Sequence, residues 1–145
     1  MNNSAVLLLV DDDPIVLTLH QMLLKKAGLT NNIFCAANGE QALNFMDSCG
    51  PQTEFLILLD INMPIMNGWE FLDALQDHPY LFNTRVFMVT SADSAEMQRA
   101  ANFRQVINSL SKPLSLSDCK LIQSWLKPQV GQDYRLLPET NLPAS

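Results

Sequence analysis

The sequence predicts an α/β fold: a doubly wound parallel sheet of five strands in the order 2-1-3-4-5, with five helices covering its two faces. Three observations lead there. Short apolar runs alternate with segments of helical period from Val6 to about Leu126, the pattern that produces crossovers and parallel pairing. The runs Val6–Val10 and Phe55–Leu59 are apolar at every position, as strands buried on both faces must be. Finally, Asp11, Asp12, Asp60, Thr90 and Lys112 stand at or just beyond the ends of the first, third, fourth and fifth runs. A parallel sheet gathers all of them at one edge, where ligands bind in open α/β folds.

The first strand, Val6 to Val10, runs into Asp11-Asp12-Asp13-Pro14. Asp13 is suited to cap the next helix and Pro14 to fill its first turn, where a missing N–H does no harm. From Pro14 to Ala27, Ile15, Leu19, Met22 and Leu23 recur at helical spacing, and Gly28 supplies the stop. Asn32 to Ala36 forms a short second strand. Asn38 then caps a helix with Gln41 at the reciprocal position of a capping box, running to about Met46 and followed by a loop, Asp47 to Thr53.

Phe55 to Leu59 is the third strand and delivers Asp60 to its end. Met63-Pro64 opens a loop that closes at Asn67-Gly68, where Asn67 and Glu70 repeat the capping pattern and Gly68 permits a tight turn. The helix carries Trp69, Phe71, Leu72 and Leu75 and stops before His78-Pro79. Arg85 to Val89 is the fourth strand, ending in Thr90-Ser91. Asp93 to Glu96 starts a less hydrophobic helix reaching about Arg104, and Val106 to Leu110 is the fifth strand, ending in Lys112-Pro113. Ser115 or Ser117 caps a last helix with Cys119, Leu121, Ile122, Trp125 and Leu126, which Pro128 ends.

With 145 residues, 48% hydrophobic and 17% charged, the chain fits one folded domain over residues 1–127. Residues 128–145, with Gly131, Pro138 and Pro143 and little periodicity, read as an extended or mobile C-terminal tail. The apolar run Ala5 to Val10 is too short to span a bilayer and lacks a basic flank, so no membrane anchoring or export is expected. Cys35, Cys49 and Cys119 are widely spaced and odd in number, which argues for free thiols in a reducing, cytoplasmic setting. A net charge of -6 opposes direct binding to nucleic acid.

Carboxylates converging at one strand edge raise one another's pKa unless a cation joins them. Mg2+ suits such a set, because it takes oxygen ligands and keeps several waters. Lys112 can pair with a carboxylate or with phosphoryl oxygens, and Thr90 can donate a hydroxyl hydrogen bond to the same oxygens. Together these parts are suited to placing a phosphoryl group on Asp60 by positioning and charge neutralisation.

Four motifs in order, Leu8 to Pro14, Leu58 to Gly68, Val89-Thr90-Ser91 and Ser111-Lys112-Pro113, make the chain resemble a response-regulator receiver domain of two-component signalling, with its flavodoxin-like or CheY-like fold. The resemblance spans roughly residues 4 to 127. It implies that Asp60 accepts a phosphoryl group from a histidine on a sensor kinase or a phosphotransfer protein. It also implies that Asp12, Asp60 and the Asn62 carbonyl bind Mg2+, with Asp11 joining through water, that Thr90 is the switch hydroxyl, and that the Lys112-Pro113 bond is cis. Phosphorylation would then shift the population toward a second conformation of the face made by the fourth helix, fifth strand and fifth helix.

Two positions depart from the family pattern. Ser109 stands where members commonly carry a switch aromatic, which removes aromatic gating. Ala92 replaces the polar group that positions hydrolytic water in some relatives, so a long-lived phosphoryl group is expected.

The expected role is a single-domain response regulator that assists its own phosphorylation and dephosphorylation without being an enzyme, and that signals by contact with a downstream protein. The alternative is a Mg2+-dependent phosphohydrolase with Asp60 as nucleophile. Hydrolases of the haloacid dehalogenase type place an acid two residues later, where this chain has Asn62. A degenerate receiver acting as a constitutive binding module is disfavoured by the intact Asp12, Asp60, Thr90 and Lys112. His20 reads as a boundary residue and His78 as a loop residue, while Trp69, Phe71, Trp125 and the methionines read as packing.

Overall fold

The computed structural model describes residues 5–29, 32–79, 81–91 and 94–126. Strands β1 (Val6–Val10), β2 (Ile33–Ala36), β3 (Phe55–Leu59), β4 (Thr84–Thr90) and β5 (Val106–Ser111) alternate with helices α1 (Pro14–Lys26), α2 (Gly39–Cys49), α3 (Gly68–Leu75), α4 (Ser94–Ala100) and α5 (Leu116–Leu126). The strands form one parallel sheet in the order β2-β1-β3-β4-β5. Chain order and sheet order therefore diverge at β1, whose ladder partners are β2 and β3.

Alternation along each strand divides the core into two layers. Leu8, Val10, Phe55, Ile57, Leu59, Val86 and Met88 face α2, α3 and Ala100 of α4. Leu7, Leu9, Leu56, Leu58, Phe87 and Val89 face Leu24 of α1 and Cys119 and Ile122 of α5. Every residue of β3 is buried, which is why its sequence shows no polar alternation.

Several helix ends follow from side chains at their predicted places. Asp13 accepts a hydrogen bond from the Ile15 amide at 2.9 Å, with Pro14 next in the first turn, and Gly28 takes φ +100° past the end of α1. Asn67 and Glu70 form a reciprocal capping box, both bonds 2.9 Å. At α5 the cap is Ser115 rather than Ser117, since Ser115 Oγ accepts from the Asp118 amide and Asp118 Oδ2 accepts from the Ser115 amide. Asn38 accepts from the Gln41 amide, but Gln41 Oε1 reaches past the cap to the amide of Ala37.

Other expectations are corrected. Strand β2 starts at Ile33 because Asn32 adopts φ +59°, a left-handed conformation that a strand excludes. Helix α2 continues three residues past Met46 to Cys49 and stops at Gly50, φ +96°. Helix α4 ends at Ala100, four residues before Arg104, as the chain turns so that Phe103 stacks on Trp69 with 6.2 Å between ring centroids.

On α1 the residues Ile15, Leu19 and Met22 are 77%, 41% and 63% exposed, so these three members of the expected stripe face solvent, while Leu23 packs as expected. Beside Leu23, the helix packs through Leu17, His20, Leu24 and Ala27. Trp125 and Met97 are likewise exposed rather than core. Asp93, Ala92 and the tail 128–145 lie outside the described residues.

Candidate functional site

Strand pairing decides which polar residues meet. Val10 of β1 lies opposite Leu59 of β3, so the next residues, Asp11 and Asp60, emerge side by side at the carboxyl edge. The ladder extends one step beyond each strand: the Asp60 amide donates to the Val10 carbonyl at 2.9 Å, and the Asp11 amide donates to the Ala36 carbonyl at 3.1 Å. Both side chains leave a hydrogen-bonded backbone, which fixes their direction. Asp11 Oδ1 accepts from the Asp13 amide at 2.9 Å, shaping the turn into α1.

Lys112 comes from the end of β5, on the far side of β4. Its flexible stem brings Nζ to 2.7 Å from Asp11 Oδ2 and 3.1 Å from Asp60 Oδ1. The Lys112–Pro113 peptide bond is cis. Thr90 is buried at the end of β4, in register with Ser111, the residue before Lys112. Asp12 is exposed, yet one oxygen each of Asp11, Asp12 and Asp60 lies within 4.8 Å of the others. Asp11 and Asp60 thus share one ammonium, with the exposed Asp12 carboxylate beside them.

Burial raises the Asp60 pKa above its ordinary value and the Asp11 charge raises it further, while Lys112 and the Ile61 amide oppose the shift without cancelling it. Burial pulls the Lys112 pKa down, but its hydrogen bond to Asp11 and the charge of Asp60 outweigh burial and leave it raised. Three clustered carboxylates offering hard oxygen donors fit a small divalent cation such as Mg2+.

The sequence therefore identified residues that the fold brings to one edge. Asn62 is exposed two residues beyond Asp60, in the loop whose amides and carbonyls lead into α3. Ser109 is half-buried on β5 opposite Met88. Gly68 is required by contact rather than by turn geometry: a Cβ there would meet the Asp60 carbonyl oxygen at 2.5 Å. The left-handed residue of this loop is Ile65, at φ +69°.

One neighbour was misread from sequence. His20 is 4% exposed, and its Nε2 accepts a hydrogen bond from the Leu114 amide at 3.3 Å. The spacing of Leu17, His20, Leu24 and Ala27 carries the signal, but the equally periodic Ile15, Leu19 and Met22 compete with it in the same helix. His78 bonds Asp47 at 2.8 Å, joining the end of α3 to α2 far from the carboxylates.

Among the described residues no helix is long and apolar enough to cross a membrane. Residues 7–123 match the family model described as the response regulator receiver domain. The chain is 39% identical over 87 residues to the nitrate/nitrite response regulator protein NarL of Escherichia coli, covering 60% of this chain but only 39% of that protein. It is 32% identical over 117 residues to a probable chemotaxis protein CheY of Rhizobium etli, covering 78% of this chain and 84% of the relative. A two-component response regulator of Cytophaga hutchinsonii superposes with a TM-score of 0.76 at 26% identity, covering 86% of this chain and 98% of that structure.

Proposed function

The chain belongs to the response regulator receiver domain family, and from that premise we propose that Asp60 is its phosphoacceptor. The observation that carries the reading is the shared ammonium: Lys112 bridges Asp11 and Asp60, with Asp12 close enough to complete a cation site. An Asp60 oxygen forms the new P–O bond as the P–N bond of a donor phosphohistidine breaks, and the donor imidazole recovers a proton from water. Lys112 then pairs with the phosphoryl oxygens it would otherwise leave unneutralised. Thr90 donates its hydroxyl to the same group, which couples the modification to β4 and the face beyond it.

Asp11, Asp12, Asp60 and the Asn62 carbonyl would hold Mg2+, whose contribution is to neutralise charge on the transferring group. The chain's own residues position and stabilise, so the protein assists its phosphorylation and dephosphorylation without turning over a substrate. The donor is a sensor histidine kinase or a histidine phosphotransfer protein. Exposed Ile15, Leu19 and Met22, starting one turn from Asp12, support a helical donor docking beside the site. Output passes to a downstream protein by contact, and the acidic net charge and free cysteines favour a cytoplasmic partner rather than nucleic acid.

Incubation with acetyl phosphate and Mg2+ followed by intact mass measurement tests this. One phosphoryl adduct is expected, absent in Asp60→Asn. An adduct that survives Asp60→Asn overturns the assignment, and release of phosphate over many turnovers favours the hydrolase despite Asn62.

A further inference from the structure

His20 has no place in the chemistry above, yet it is among the few buried polar side chains of the described residues. It lies on the face of α1 that meets α5, two helical turns from the carboxylates. Its Nε2 accepts a hydrogen bond from the amide of Leu114, which is itself buried with Leu24, Cys119 and Ile122. Leu114 stands two residues after Lys112, with only Pro113 between, and the proline ring fixes its own φ. A displacement at Leu114 therefore reaches the Lys112 backbone through a short link with one rotation removed. The segment is otherwise anchored by the Lys112 ion pairs before it and the Ser115–Asp118 cap after it. His20 supplies the side-chain acceptor for the amide in the middle.

We propose that His20 is a positioning residue, holding the Leu114 amide so that the Lys112 ammonium is kept on Asp60 for phosphoryl transfer. This rests on the reading of Asp60 as phosphoacceptor. The required form is the neutral imidazole with the proton on Nδ1, because only an unprotonated Nε2 accepts. Burial, which lowers the His20 pKa, favours the neutral form, as does the Lys112 charge, while the Asp11 charge opposes it. Without His20 the Leu114 amide becomes a buried donor lacking that partner, and the backbone must shift to find water or another oxygen.

The test follows phosphorylation from acetyl phosphate with Mg2+ over time, in the wild type, His20→Leu and His20→Gln, using the full chain. Glutamine places an acceptor near the position of Nε2, and leucine does not. His20→Leu is expected to lower the maximal rate about tenfold, the order for a site group displaced by a fraction of an ångström. The acetyl phosphate concentration at half-maximal rate should be unchanged, and His20→Gln should recover the rate. Amide exchange at Leu114 should accelerate in His20→Leu and return in His20→Gln.

A folded His20→Leu that is phosphorylated at the wild-type rate overturns the proposal. If His20→Leu does not fold, the imidazole 15N spectrum of the wild type decides: an Nε2–H tautomer overturns it, and an Nδ1–H tautomer supports it. Absence of a wild-type adduct overturns the phosphoacceptor reading and this proposal with it, whereas an adduct with no effect of His20 removes this proposal alone.

Discussion

A Cβ on Gly68 would stand 2.5 Å from the Asp60 carbonyl oxygen and 2.9 Å from Ile61 Cα. The start of α3 thus packs directly on the backbone that carries the phosphoacceptor candidate, and the Gly68 amide donates to the Ile61 carbonyl at 2.8 Å. Alanine in a helix is normally favoured over glycine by about 1 kcal/mol. Here the clash is with backbone, so overpacking of about 1–3 kcal/mol decides the sign. Gly68→Ala is expected to lower the urea midpoint, and a midpoint at or above wild type would show that α3 can move away freely.

Much of this was legible in the sequence because one parallel sheet leaves little choice. Uninterrupted runs such as Phe55–Leu59 specify doubly covered strands, and strand ends specify the site edge, so Asp11, Asp60 and Lys112 could be placed before any geometry. Faces of helices were harder. Helix α1 has apolar residues on two sides, and periodicity alone does not say that Leu17 and Leu24 pack while Ile15 and Met22 stay exposed. The reason for Gly68 was also hidden, since a close approach between segments leaves no local signature.

Asp60 should weaken the metal-free fold. Its pKa is raised in the folded state by burial and by Asp11, above the unfolded value of about 3.9. The stability contributed by protonated Asp60 is complete below that unfolded value and is lost as pH rises through the folded value. At neutral pH the ionised group is a net burden, which Asp60→Asn removes. Without divalent cations, Asp60→Asn is expected to raise the urea midpoint at pH 7 and to have little benefit near pH 3.5.

Mg2+ should reverse that order. A ligand that binds only the folded chain stabilises it by about 2.7 kcal/mol at a hundred times its dissociation constant. Thermal unfolding of the wild type is expected to shift upward with Mg2+ and to shift less in Asp60→Asn, which lacks one of the three clustered carboxylates. Equal shifts in both proteins would place the bound ion elsewhere.

Ile65 carries strain in the loop after Asp60. It is β-branched at φ +69° and 74% exposed, and the Met66 amide closes a tight turn around it onto the Pro64 carbonyl at 2.7 Å. A classic γ-turn strains any residue that carries a Cβ, a β-branched one most, by roughly 1–3 kcal/mol, and little burial is there to offset it. Glycine alone takes this γ-turn without a Cβ clash, so Ile65→Gly should stabilise by up to about 1 kcal/mol in chemical denaturation. Destabilisation instead would show that the exposed side chain holds the loop by packing.

Lys112 has the largest expected effect on the metal-free protein. Its raised pKa means that its ion pairs contribute fully below the unfolded lysine value of about 10.4 and are lost as pH rises through the higher folded value. Lys112→Met keeps the stem and removes the ammonium, leaving Asp11 and Asp60 side by side without their shared cation. Breaking a fully buried pair costs about 3–5 kcal/mol, and the 23% exposure of the Lys112 side chain reduces this to about 2–3 kcal/mol. Two carboxylates relieved of their ammonium attract a divalent cation more strongly, so added Mg2+ should recover a larger share of stability in Lys112→Met than in the wild type. Phosphoryl transfer should stay slow even at saturating Mg2+, because the ion replaces the charge lost between Asp11 and Asp60 but not a donor aimed at the phosphoryl oxygens. Recovery of both stability and transfer rate by Mg2+ would reduce Lys112 to a counter-ion for the resting carboxylates.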